Sequence, residues 1–241
     1  MSGTSPNPTA LSRLADMFRD AMSDLGQTPE LADLERWAVV IHSSMSGRGR
    51  SYHTVDHVFQ VGEGNDAIGT LAILFHDTVY CEVDGGIPRA LEPALADALH
   101  IDGDHVELGE FDPEASVFRA LVARIFGFEP GQRVTFQSGL NELASALLAA
   151  RTLQTHLDMR TIAEVVTCIE ATIPFREQGA EEILATRLAQ ADVEHGLGLG
   201  EAGVDRAVRR AVEVANRDIA NFAYEDPAAF LSHTWEILPE T

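Results

Sequence analysis

Lysine is absent from this chain. All 17 basic residues are arginine, set against 38 acidic ones, which gives a formal charge of -21 at neutral pH. So acidic a surface repels phosphate backbones and anionic bilayers, so neither nucleic acid nor a membrane is an expected partner. A small phosphate ester is not excluded, because a bound divalent cation reverses the local field. Lysine depletion is equally explained by genome composition or habitat. Cysteine is scarce too: Cys81 and Cys168 stand far apart with no CxxC motif, which argues against a disulfide scaffold and against a thiolate zinc site. No apolar run is long enough to span a bilayer. The opening "MSGTSPNPTALSRLADMF" lacks the basic and apolar regions of a signal peptide, so the expected location is the cytoplasm.

What is present is helical periodicity. Leu11, Leu14, Met17 and Phe18 form one apolar stripe, and Leu31, Leu34, Trp37, Ala38 and Ile41 form another. Thr28 with Pro29 reads as the start of the second helix, and Thr161 with Glu164 as a capping box opening a later one. Leu143, Ala146, Leu147, Ala150 and Leu153 continue the pattern, as do the stretches 179–197 and 204–224. Strand-like alternation is rare. The expected fold is all-α, a helical bundle forming one domain over 1–241, with a frayed start at 1–9. Residues 84–138 are the least regular part, read as an insertion or lid with short helical pieces and a strand or turn at "HVELGEF".

Chemistry concentrates in "SYHTVDHVFQV…LAILFHDTVY". Asp77 ends an apolar run, where an unpaired carboxylate costs several kcal/mol, and no arginine lies within a helical turn of it. His57 sits on the preceding predicted helix. Two helices joined by a short loop are antiparallel neighbours, so His57 can face His76 and Asp77. Two imidazoles and a carboxylate suit Mn²⁺, Fe²⁺, Co²⁺, Ni²⁺ or Zn²⁺, and suit Mg²⁺ less well. A further carboxylate is needed. Asp192 in "QADVEHG" and Asp218 in "ANRDIANF" are both available, though Asp218 has Arg217 beside it and can pair with an arginine on the surface. "HIDGDH", with His100 and His105, reads as a second metal site or as a solvated acidic turn. His156, His195 and His233 are isolated.

Four ordered motifs, "SYHTVDH", "FHDTVY", "NELASA" and "QADVEHG", resemble the HD superfamily of metal-dependent phosphohydrolases, in particular its small bacterial branch with a "YH…H" signature. The resemblance covers most of 31–200 and implies an HD-type helical domain. It implies a divalent metal held by His57, His76, Asp77 and Asp192. Asp77, His53 and Glu142 become candidates for the catalytic machinery, and Arg50, Tyr52, Tyr80 and Asn141 candidates for substrate binding. The implied activity is hydrolysis of a phosphate ester on a small, nucleotide-like substrate. The gap between His57 and His76 is short for the superfamily, and the stretch before "NELASA" is long. A di-iron oxygenase on the same scaffold, a non-catalytic metal- or nucleotide-binding module, and a homo-oligomeric state stay open.

Overall fold

A computed structural model describes residues 9–102, 105–174, 176–220, 226–228, 231 and 235. The expected frayed start therefore lies outside the described residues but for residue 9, as do the last part of the helical stretch 204–224 and His233. The described chain is mostly helical: α1 (Ala10–Asp24), α2 (Leu31–Ser44), α3 (Val55–Gly62), α4 (Ala67–Phe75), the single turns α5 (Cys81–Asp84) and α6 (Glu92–Leu95), α7 (Val117–Phe126), α8 (Leu140–Leu153), α9 (Met159–Ala171), α10 (Ala180–His195) and α11 (Gly200–Asp218).

Local chemistry sets several of these boundaries. Thr9 caps α1 by accepting the Ser12 amide, and Asp66 caps α4 by accepting that of Gly69. Two starts differ from the sequence expectation. Helix α2 opens at Leu31 with Glu30 in the cap position and no side-chain cap, not at Thr28. Helix α9 is capped by Asp158, whose carboxylate accepts the Thr161 amide at 2.8 Å. A carboxylate at that position outcompetes the box proposed around Thr161, and Glu164 instead pairs with Arg210.

Two helices form the centre. In α4 every residue from Leu71 to Phe75 is buried, and in α8 every residue from Leu140 to Ala150 is buried. Such helices are enclosed on all sides. Helix α4 packs against α1, α3, α8, α9 and α11, and α8 packs against α7 and α9. Phe18 of α1 meets Trp37 of α2 and Phe75 of α4 edge-on, at 5.4 and 5.6 Å between ring centres.

Residues 84–138 divide into two parts. Strands β1 (Leu99–Asp102), β2 (His105–Leu108) and β3 (Arg133–Val134) make a small antiparallel sheet in that order, with Leu99 opposite Leu108 and Val106 opposite Val134. Helix α7 returns to the bundle and packs on α8, α9 and α10 through Leu121, Val122, Ile125 and Phe126. The stretch thus combines a small sheet with one helix of the bundle core, α7 lying between β2 and β3 in the chain.

Phe18 is fully buried in this aromatic group. Phe18→Ala is expected to lower the unfolding free energy by about 3–5 kcal/mol, measured by chemical denaturation. Leu31→Ala, on the exposed side of α2, should change it by less than about 0.5 kcal/mol.

Candidate metal centre

Three helix ends meet at one point. Helices α3 and α4 are joined by only residues 63–66, so the first turn of α3 lies beside the last turn of α4. His57 comes from that first turn. His76 is the C-terminal cap of α4 and Asp77 follows it. Helix α11 packs across both and ends on Asp218. His57 Nε2 lies 2.9 Å and His76 Nε2 3.3 Å from Asp218 Oδ1. Asp77 Oδ2 lies 2.8 Å from His76 Nε2 and 3.8 Å from His57 Nε2. One ligand atom from each of the four residues falls within 4.8 Å of all the others, and the group can hold a metal ion.

Orientation and charge support that capacity. The other ring nitrogen of His76, Nδ1, sits 2.8 Å from the Ile73 carbonyl oxygen, to which it donates. This leaves Nε2 aimed at the two carboxylates, and a backbone partner on the distal nitrogen is the usual way a ligand imidazole is held. A neutral ring so fixed presents a lone pair to two acceptors, so the pocket requires a cation: a second proton on the ring, or a metal. Burial alone would lower the His76 pKa, but Asp77 and Asp218 more than offset it and raise it well above the ordinary value. Burial likewise opposes ionisation of both acids. His76, His53 and His57 nevertheless hold Asp77 far below the carboxylate range, and His76 and His57 hold Asp218 at about 2. Asp77 Oδ2 makes no aligned hydrogen bond despite its short approach to His76. It points into the group rather than along one donor. Two nitrogens and two carboxylate oxygens match the preferences of Mn²⁺, Fe²⁺, Co²⁺, Ni²⁺ and Zn²⁺.

Asp192 is not part of this group. It lies near the end of α10, where its two oxygens accept the Leu199 and Gly200 amides, each at 2.8 Å. A carboxylate there satisfies amides at the start of α11, which have no partner within that helix. The distal position expected of Asp192 is filled by Asp218. Arg217, the arginine beside Asp218 in the sequence, donates to the Glu63 carbonyl. One signal for Asp218 was available in the sequence. The buried stripe of α11 runs Val204, Ala207, Val208, Ala211, Val214, and four residues further it reaches Asp218.

Arg50 is not free to clamp a phosphate. Its side chain is fully buried and all five N–H donors are committed. Two engage Asp84, at 3.1 and 2.6 Å; the rest go to the carbonyls of Asp77 (2.6 Å), His53 (3.4 Å) and Thr78 (3.3 Å). Asn141 is also occupied, since its Oδ1 accepts the Cys81 amide and its Nδ2 donates to Glu82. Ser145, one turn on, accepts the Val79 amide. Asn141 and Ser145 of "NELASA" therefore fasten the chain that follows Asp77, and neither Asp84 nor Ser145 was singled out from the sequence.

Glu142 belongs to the pocket. It is buried, its Oε2 has no hydrogen-bond partner, and burial pushes its pKa up to about 8, with Asp77 and Asp218 adding to the rise. His53 forms part of the wall, with its ring 4.7 Å from Tyr80, 5.0 Å from Tyr52 and 5.7 Å from His57. Tyr52 also lies against His57, at 5.0 Å. His100 and His105 sit on the sheet, exposed beside Glu107, while residues 103–104 of "HIDGDH" lie outside the described residues. His156 packs on Trp37, and His195 ends α10. Among the described residues no helix is long and apolar enough to cross a membrane. No family model, curated protein or solved structure matches the chain.

Asp218→Asn should abolish stoichiometric Mn²⁺ or Co²⁺ binding in calorimetry. Asp192→Ala should leave it intact and lower stability by about 1 kcal/mol, the size of a lost helix cap. Metal must displace the proton held on His76, so affinity should rise with pH through neutrality and beyond the ordinary histidine range. Titration at a series of pH values tests the sign.

Proposed function

We propose that this chain is a metal-dependent phosphohydrolase of the HD superfamily, acting in the cytoplasm on a phosphate ester of a small, nucleotide-like molecule. The observation that carries the reading is the convergence of His57, His76, Asp77 and Asp218 from three helix ends, in the chain order His, His-Asp, Asp. A divalent ion held by these four residues would lower the pKa of a bound water and neutralise charge on phosphoryl oxygens.

The remaining residues take roles that their surroundings allow. Burial, the largest cause, raises the Glu142 pKa to about 8, and the protonated carboxyl can donate from its Oε2 side to an oxygen of the substrate. His53, half-buried between Tyr52 and Tyr80, is the better candidate for positioning or accepting the proton of the attacking water. Tyr80 and Tyr52 form an aromatic wall against which a base or sugar can lie. Arg50 acts through the backbone: by holding the Asp77 carbonyl it orients the Asp77 carboxylate.

An oxygenase with two irons would need more imidazoles near the centre. Among the described residues only His53 lies beside the group, while His100, His105 and His156 belong to the sheet and to the α2–α8 side. One ion per chain is the better fit.

The test is phosphate release from a nucleotide panel and an aryl phosphate with added Mn²⁺ or Co²⁺. Asp77→Asn should reduce turnover by at least about 100-fold. His53→Ala should retain metal but slow turnover by about 100-fold. Activity indifferent to metal and to Asp77 would overturn the reading. One bound ion with tight nucleotide binding and no turnover would favour a sensing module, and two irons per chain would favour an oxygenase.

A further inference from the structure

A second cleft of about 600 Å³ lies between α2, α6 and the end of α8, and none of the four metal-centre residues lines it. Its volume is within the range that accepts a small organic ligand. Trp37, Phe75 and Leu148, all nearly or fully buried, supply an apolar surface. The His156 ring stands edge-on to Trp37 at 5.3 Å and extends the aromatic side.

The rim carries Arg36 and Arg151, each paired with one carboxylate, Asp33 and Asp97 respectively. Both retain unused donors, in contrast to Arg50. Arg36 contacts Asp33 through one nitrogen at 3.0 Å. Arg151 uses Nη1 for the Ala94 carbonyl and Asp97, which leaves its other two nitrogens without acceptors among the described residues. Asp33 is the acidic group on this rim, and it is shared between Arg36 and His156 (3.5 Å). An apolar aromatic floor with guanidinium donors at its edge suits a flat ring that carries one anionic group. We propose that this cleft binds a small aromatic anion, an aryl sulfonate, carboxylate or phosphate in chemical class, separately from the metal centre.

The experiment is calorimetric titration of the full chain with 1-naphthalenesulfonate, with 1-naphthol as the uncharged counterpart. One saturable site is expected for the sulfonate, with weaker binding of the naphthol. Arg36→Gln, at an exposed position, should weaken sulfonate binding about tenfold, the effect of one charge-assisted hydrogen bond. Thr155→Trp, on the exposed rim, should block it. Asp218→Asn should leave it unchanged. Thermal melts matching the unaltered chain would show that the rim variants are folded. Absence of saturable binding, equal binding of both compounds together with indifference to Arg36→Gln and Thr155→Trp, or loss in Asp218→Asn would each overturn the assignment.

Discussion

A single buried guanidinium holds the candidate centre in shape. Arg50 bridges the loop before α3, the turn after α4 and the short helix α5, and it has no donor left over. The carbonyls it binds belong to His53, Asp77 and Thr78, residues that flank or form the site. Burying this charge is tolerable because Asp84 matches it with both oxygens and the carbonyls take the rest. Gly49 makes the approach feasible, since a Cβ there would fall 2.8 Å from the Val83 carbonyl oxygen. The position of Asp77 therefore depends on a cation that never touches its carboxylate.

The same logic of charge in a desolvated place governs the ligand group. Two carboxylates and two imidazoles sit together where the start of α3 and the ends of α4 and α11 meet, and neither acid could stay ionised there without positive charge nearby. Imidazolium can supply it, and so can a divalent ion. The backbone hydrogen bond that fixes His76 keeps one ring nitrogen aimed inward in either case. Glu142, next to this group but without a cation of its own, keeps its proton to a much higher pH. One pocket thus contains carboxyl groups pushed in opposite directions, a pattern typical of sites that move protons.

The helical class was legible because stripes such as Leu34–Trp37–Ala38–Ile41 repeat at helical spacing along most of the chain. His57, His76 and Asp77 were legible as a group because a short loop makes α3 and α4 neighbours, a local relation that sequence distance captures. The caps were less so: Thr28 and Thr161 are chemically suitable, but Glu30 and Asp158 hold the cap positions. Arg50 read as a candidate for substrate binding because its partners are dispersed, with Asp84 lying 34 residues downstream. Asp192 and Asp218 were both visible as candidates. Motif context favoured the wrong one, because the need of the α11 amides for an acceptor could not be seen before α10 and α11 were placed.

The sequence by itself determined the all-α class, the central apolar helices and the pairing of two imidazoles with one carboxylate, because these follow from periodicity and short-range connection. Only the tertiary structure decided which distant aspartate completes the group and which polar residues are already spent on the fold. Those choices depend on where the end of α11 lands against α3 and α4, 161 residues from His57 along the chain. Such long-range contacts arise from packing whole helices, and no local spacing encodes them.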